Sequence, residues 1–231
     1  MPKTFEFTPC REAMRRNAML VALIFVLLPF NSMASTVDGS LADWNSDTNM
    51  GTDSNGISFH LDWDSSSLHL AWDGTDLASA SEGADIFFYF NTSEGGSVTA
   101  KQWNGIKTLP FAADYGIVVE DSYYARVVGF SSGGWNDIST PEIHAGWSDN
   151  KVTEISIPLS DIGTPSHMDI VAWGQWQDAG NVWAAFPMNN SFSQFTHFYS
   201  VSDLVNQTPA DVIIEERATP EKAVSYTHLR A

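Results

Sequence analysis

The stretch best equipped to recognise a small polar ligand is Trp173-Gly174-Gln175-Trp176-Gln177-Asp178, followed by Asn181, Trp183, Asn189 and Asn190. Sugar rings offer apolar C–H faces rimmed by hydroxyls. Holding them takes flat aromatics for the faces and amide or carboxylate groups for the rim. If Trp173 points into a core together with Val171, alternation along a strand turns Trp176 the opposite way, which makes Trp176 the better platform. Trp103 beside Gln102 and Asn104, Trp135 beside Asn136 and Asp137, and Trp147 beside Asp149 sit among loop-forming residues and are further candidates. Trp63 and Trp72 fall in alternating apolar runs and read as core. The ligand set expected from these residues is Trp103, Trp135, Trp147, Gln175, Trp176, Gln177, Trp183 and Asn189, taking an oligosaccharide or polysaccharide.

Other chemistry is more thinly represented. Asp47-Thr48-Asn49 and Asp53-Ser54-Asn55-Gly56 resemble pieces of oxygen-rich cation loops, so Asp47, Asn49 and Asp53 are the residues expected to hold calcium. They lack the twelfth-position Glu and the central Gly of an EF-hand. His60, Asp62, His69 and Asp73 fall on the outer face of the hairpin that the next elements imply, where two imidazoles and a carboxylate fit a transition metal but a solvent-facing polar surface accounts for them more simply. Gly129-Phe130-Ser131-Ser132-Gly133 matches the nucleophile-elbow spacing, yet no helical run follows it, as that motif requires. Carboxylate pairs carry little information in so acidic a chain, and no catalytic set emerges. The expectation is a non-catalytic protein.

Period-two alternation recurs along the chain and helical periodicity is nearly absent. Ile57, Phe59, Leu61 and Trp63 point one way, with Ser58, His60 and Asp62 the other. The pattern resumes at Leu68, Leu70 and Trp72 after the turn Asp64-Ser65-Ser66-Ser67. Ala84–Phe90 is almost continuously apolar, as a strand buried on both faces would be. Further strands are expected over 113–119, 123–130, 152–158, 168–173, 181–186 and 195–200, with short helical turns near Ser160-Asp161-Ile162 or Ser202–Val205. Gly- and Ser-rich spacers separate them. About nine short strands without a βαβ pattern predict an all-β fold, an antiparallel sandwich of jelly-roll or immunoglobulin-like kind spanning 35–205.

The ends are read separately. Arg15-Arg16, the apolar run from Ala18 to Phe30 and Ser32-Met33-Ala34 follow the secretory signal layout, so 1–34 is expected to be removed on export to the periplasm or the extracellular space. The apolar run is about 13 residues, short of the roughly 20 that a membrane-spanning helix needs. Met14 would open that signal more directly than Met1. The only cysteine, Cys10, leaves with it, so neither a disulfide nor a thiolate ligand is expected in the mature chain. Residues 206–223, charged and Pro-broken from Glu215 to Lys222, read as a linker or a truncated continuation. Val224–Ala231 resembles a translated sequencing adapter, which implies that the natural chain is longer.

Of the 28 acidic and 11 basic residues, two acids and five bases lie in those ends; 26 acids against six bases remain over 35–223. Such a surface repels phosphate backbones and anionic lipid, so nucleic acid is an unsuitable partner. About 190 residues suffice for one domain burying roughly 70% of its unfolded surface.

Two segments carry a resemblance. Val37-Asp38-Gly39-Ser40-Leu41-Ala42-Asp43-Trp44, leading into strands that contain Trp63-Asp64 and Leu68-His69-Leu70-Ala71-Trp72-Asp73, is similar to the opening of family 9 carbohydrate-binding modules and of DOMON-like sandwiches. Val152–Leu159, a Glu-containing strand ending at Ile-Pro-Leu, is similar to a later strand of that family. The resemblance covers roughly 36–200 and implies a β-sandwich that binds sugar through an aromatic clamp with polar support. DOMON-like domains also include haem binders. That alternative implies Met and His axial ligands, for which Met168, Met188, His144 and His197 are available, and an electron-transfer role. A cell-surface structural or adhesive module with a protein partner is the remaining alternative.

Overall fold

The computed structural model describes residues 35–77, 83–101, 107–121, 123–177, 180–191, 194–202, 204 and 214–219. The expected signal, the C-terminal tail and Trp103 lie outside them. The first elements arise from the alternation around the Asp64 turn. β1 (Asn49–Thr52) precedes the hairpin of β2 (Ser58–Trp63) and β3 (Ser67–Asp73), whose register pairs Trp63 with Leu68 and Asp62 with His69. Asp64 Oδ1 closes the turn by accepting from the N–H groups of Ser66 at 2.6 Å and Ser67 at 2.8 Å, an Asx arrangement that needs no glycine.

Later strands complete two sheets, and every pairing is antiparallel. The smaller sheet runs β1, β2, β3, β11 (Thr153–Pro158) and β10 (Glu142–His144). The larger runs β15 (Glu215–Ala218), β14 (His197–Ser202), β12 (His167–Trp176), β4 (Ala84–Asn91), β7 (Tyr115–Val119), β8 (Ala125–Ser131) and β9 (Gly134–Ser139). β13 (Val182–Phe186) pairs with the C-terminal half of β12, while β14 pairs with its N-terminal half. A separate ribbon joins β5 (Ser97–Thr99) and β6 (Thr108–Ala113). The fold is therefore all-β and sandwich-like. All nine expected strands are present, and six short ones join them. One of these, β15, forms within the stretch expected to be a linker, because β14 offers it a free edge. Leu159–Ile162 is a single 3₁₀ turn ended by Gly163 at φ +82°, where a helical turn was expected.

Alternation along β4 builds two apolar layers from one strand. Ile86, Phe88 and Phe90 meet Phe59, Leu61, Leu70 and Trp72 between the sheets. Phe87 and Tyr89 face outward, where they join Val118, Val128, Val171, Trp173 and Phe195. Phe87 and Tyr89 stack on Trp173 with ring centroids 5.0 and 5.3 Å away. Each large apolar side chain so buried contributes about 1.5–3 kcal/mol. These layers fix the ends of β4 and β12, from which the site described below is built.

The polar face of the first hairpin departs from expectation. It is covered rather than solvent-facing: His60 and His69 are buried. The N-terminal segment folds back over it through a 3₁₀ turn at Leu41–Asp43, setting Trp44 edge-on to His60 at 5.9 Å and Ser35 Oγ 2.7 Å from Asp62. Burial pulls the His60 pKa below its usual value, against an opposing pull from Asp73. Gly129–Gly133, the elbow-like segment, belongs to a β8–β9 hairpin turning at Ser132 and Gly133, so strand and not helix follows it. Among the described residues no helix is long and apolar enough to cross a membrane.

Candidate functional site

At one end of the sandwich, where β3 leaves its sheet and β12 meets β13, lies a cleft of about 270 Å³ lined by Thr75, Asp76, Ala84, Lys151, Trp176 and Trp183, among others. Its aromatic wall follows from strand geometry. Trp176 is the last residue of β12, cross-strand from Ala84 at the start of β4. Trp183 on β13 lies across Gly174, where an added Cβ would overlap its ring; only glycine lets the indole approach the backbone so closely. The rings of Trp176 and Trp183 are 6.0 Å apart, and Trp183 meets Trp72 edge-on at 5.7 Å. Trp72 packs edge-on against Phe88 at 6.3 Å. An unbroken aromatic path therefore runs from the core to Trp176, which is 45% exposed. A surface ring rooted this way is held in place before any ligand arrives, which lowers the entropic cost of binding.

The polar groups of the cleft are incompletely used. Trp72 Nε1 donates to Thr75 Oγ1 at 3.0 Å and Asp76 Oδ2 accepts from the Ser148 N–H at 3.1 Å. Asp76 Oδ1 and Trp183 Nε1 are buried without a hydrogen-bond partner among the described residues. Such orphans cost about 1–3 kcal/mol each. Lys151 adds an exposed cation at the rim.

On the opposite face of the same strand ends the chemistry is different. Gln175 and Asp85 are cross-strand partners facing the outer aromatic layer, and both are fully buried. Gln175 Oε1 accepts from Trp173 Nε1 at 3.2 Å, whereas Gln175 Nε2 and both Asp85 oxygens have no partner among the described residues. Burial, reinforced by Glu120 and Asp121, pushes the Asp85 pKa up to about 7. The Gln177 amide donates to Glu120 Oε1. Gln175 and Gln177 thus serve this face and not the cleft.

The remaining expected ligand residues are scattered. Trp135 packs edge-on against Tyr89 at 5.1 Å and donates to the Thr99 carbonyl at 2.9 Å, sealing the outer layer. Asn189 donates to Glu216 at 2.6 Å and ties the β13–β14 connection to the edge strand. Trp147 stands 66% exposed on a turn beside the cleft. For the haem alternative, Met168 lies in the inter-sheet core and Met188 is exposed.

Two of the expected calcium residues make hydrogen bonds within their own loops. Asp53 Oδ1 turns back on its own loop, accepting from the N–H groups of Asn55 at 2.7 Å and Ile57 at 3.0 Å. Asn49 Oδ1 caps Gly51 at 2.8 Å, and Asp47 sits in a separate 3₁₀ turn. The carboxylates that do gather among the described residues are Asp38, Asp43 and Glu154, each with an oxygen within 4.8 Å of the others. Glu154 is buried. It accepts from the Asp38 N–H at 2.9 Å, from the Gly39 N–H, from the Ser40 N–H at 3.3 Å and from Trp44 Nε1 at 2.7 Å. Gly39 takes φ +85° there with the His144 ring packed against its α-carbon, a place closed to other residues. The three carboxylates could also hold a divalent cation. The available signal was a Glu interrupting the otherwise apolar and hydroxylic strand Thr153–Pro158.

No family model, curated protein or solved structure matches the chain.

Proposed function

We propose that the Trp176–Trp183 cleft is the binding site of an exported, non-catalytic carbohydrate-binding module. The observation that carries the proposal is the half-exposed Trp176 ring, supported from behind by Trp183 and Trp72 and set beside unsatisfied polar atoms of Asp76 and Trp183. A pyranose face stacks on Trp176. Its hydroxyls donate to Asp76 and accept from Lys151. Net acidity elsewhere suits a neutral polysaccharide better than a polyanion. Function then consists of holding the protein near that polysaccharide, with modest affinity per site. Calcium at Asp38, Asp43 and Glu154 would fasten the N-terminal segment rather than touch the sugar.

The test is a titration of residues 35–223 against a panel of oligosaccharides, following Trp fluorescence with and without calcium. Binding that falls at least tenfold in Trp176→Ala supports the proposal. A panel that leaves the fluorescence unchanged, or binding that Trp176→Ala leaves intact, overturns it.

A further inference from the structure

Trp147 is among the most exposed large apolar residues of the described chain, yet its backbone is firmly held. Its N–H donates to the Asn150 carbonyl at 2.5 Å and its carbonyl accepts from the Asn150 N–H at 3.0 Å. Ser148 within that turn adopts φ +55°, a conformation costing a residue with a side chain about 1–2 kcal/mol. The turn is then pinned at both ends. Leu77 donates to the Gly146 carbonyl at 2.9 Å, Thr153 Oγ1 accepts from the Gly146 N–H at 2.9 Å, and Asn150 Nδ2 donates to the Gly39 carbonyl at 2.8 Å.

The turn also reaches the cleft itself. Ser148, the residue after Trp147, donates to the cleft carboxylate of Asp76; Asn150, its partner across the turn, precedes the cleft residue Lys151. Lys151 in turn accepts from Gly74, another lining residue. The turn that carries the ring is therefore joined directly to the chain segments that form one wall of the cleft. A solvated indole on such a turn gains little for the fold, because its apolar area remains in water. It gains a great deal if a flat apolar face comes to rest on it.

We propose that Trp147 is a second stacking platform, so that the cleft and the turn together hold a chain of linked sugar rings and select it over a single ring. This rests on the carbohydrate reading of the cleft. Trp176 anchors one ring, and Trp147 receives another further along the chain. Because the backbone beneath Trp147 is held before binding, extension of the ligand adds contacts at a reduced ordering cost.

The experiment is a titration of wild type, Trp147→Ala, Trp147→Tyr and Trp176→Ala with cellulose-, xylan- and starch-derived oligosaccharides of increasing length. Wild-type affinity is expected to rise with length. Trp147→Ala should keep the affinity for the shortest ligand and lose about tenfold on the longest, and Trp147→Tyr should restore most of that loss. Trp176→Ala should weaken every length. If Trp147→Ala follows wild type at all lengths while Trp176→Ala abolishes binding, the second platform is overturned and the cleft survives. Binding that Trp176→Ala leaves unchanged, or a panel with no binding, overturns both. Trp147 is exposed, so equal thermal unfolding of the variant and wild type confirms that folding does not enter the comparison.

Discussion

The two faces of β12 carry similar residues and have different fates. On one face Trp173 is stacked between Phe87, Tyr89 and Phe195. The ring polar groups of that layer are also spent: Trp173 Nε1 on Gln175, Trp135 Nε1 on the Thr99 carbonyl, and the Tyr89 hydroxyl on the Lys101 carbonyl at 2.6 Å. On the other face Trp183 keeps an unpartnered N–H and Trp176 keeps almost half its surface in water. Aromatic richness alone therefore does not mark a site. The distinguishing feature is retained exposure on a well-packed support.

The sharpest break of this comparison comes from removing one indole on each face. Trp173→Ala should lower the unfolding free energy by about 3–5 kcal/mol through lost burial and the cavity left behind, read by denaturant unfolding. Trp176→Ala should cost less than about 1 kcal/mol, in keeping with a partly exposed side chain. Next in size is the N-terminal latch. Glu154→Ala leaves the backbone N–H groups of Asp38, Gly39 and Ser40 and the indole of Trp44 without their shared acceptor, with an expected loss of about 3 kcal/mol and faster proteolysis of residues 35–48. Gly174→Ala should displace Trp183 from its seat. A stability loss of about 1–3 kcal/mol together with weaker ligand binding would show that the support beneath Trp176 matters as much as the platform.

A smaller effect sharpens the comparison through pH. The Asp85 pKa is raised in the folded state, so the folded protein holds this proton more tightly than the unfolded chain does. The resulting stability is fully present below the ordinary carboxylate pKa of 3.8 and is lost as pH rises through about 7. Asp85→Asn should therefore stabilise the protein by roughly 1–2 kcal/mol at pH 8 and change little at pH 4, as read from unfolding midpoints at the two pH values. Because Asp85 faces away from the cleft, the same substitution should leave ligand affinity nearly constant.

Much of this architecture was legible in the sequence where period and length agreed. The continuous apolar run Ala84–Phe90 announced a strand buried on both faces, and the alternation about Asp64 set the first hairpin in its observed register. Alternation also separated Trp173 from Trp176 correctly. The short polar edges, such as Gly134–Ser139 and Glu215–Ala218, were not legible, because their pairing is induced by a neighbouring strand and leaves little imprint on composition. Nor was the cover over His60 and His69. It depends on contact between residues more than a hundred positions from Glu154, through 3₁₀ turns that have no hydrophobic period. At the site, Trp176 and Trp183 were found because aromatic and amide residues cluster locally. Gln175 and Gln177 were assigned to the same place because spacing shows proximity along the chain but not which face a strand end presents. The gathering of Asp38, Asp43 and Glu154 escaped notice for the reason common to long-range contacts: no local rule joins them.

The most direct test sets affinity against stability for Trp176→Ala and Trp173→Ala in one experiment, with oligosaccharide titration and denaturant unfolding measured on the same preparations. The expected result is a double dissociation, in which Trp176→Ala loses at least tenfold in affinity at nearly wild-type stability, and Trp173→Ala loses stability while its folded fraction still binds. Equal affinity in wild type and Trp176→Ala, or no oligosaccharide binding by a fully folded wild type, would contradict the assignment of the cleft.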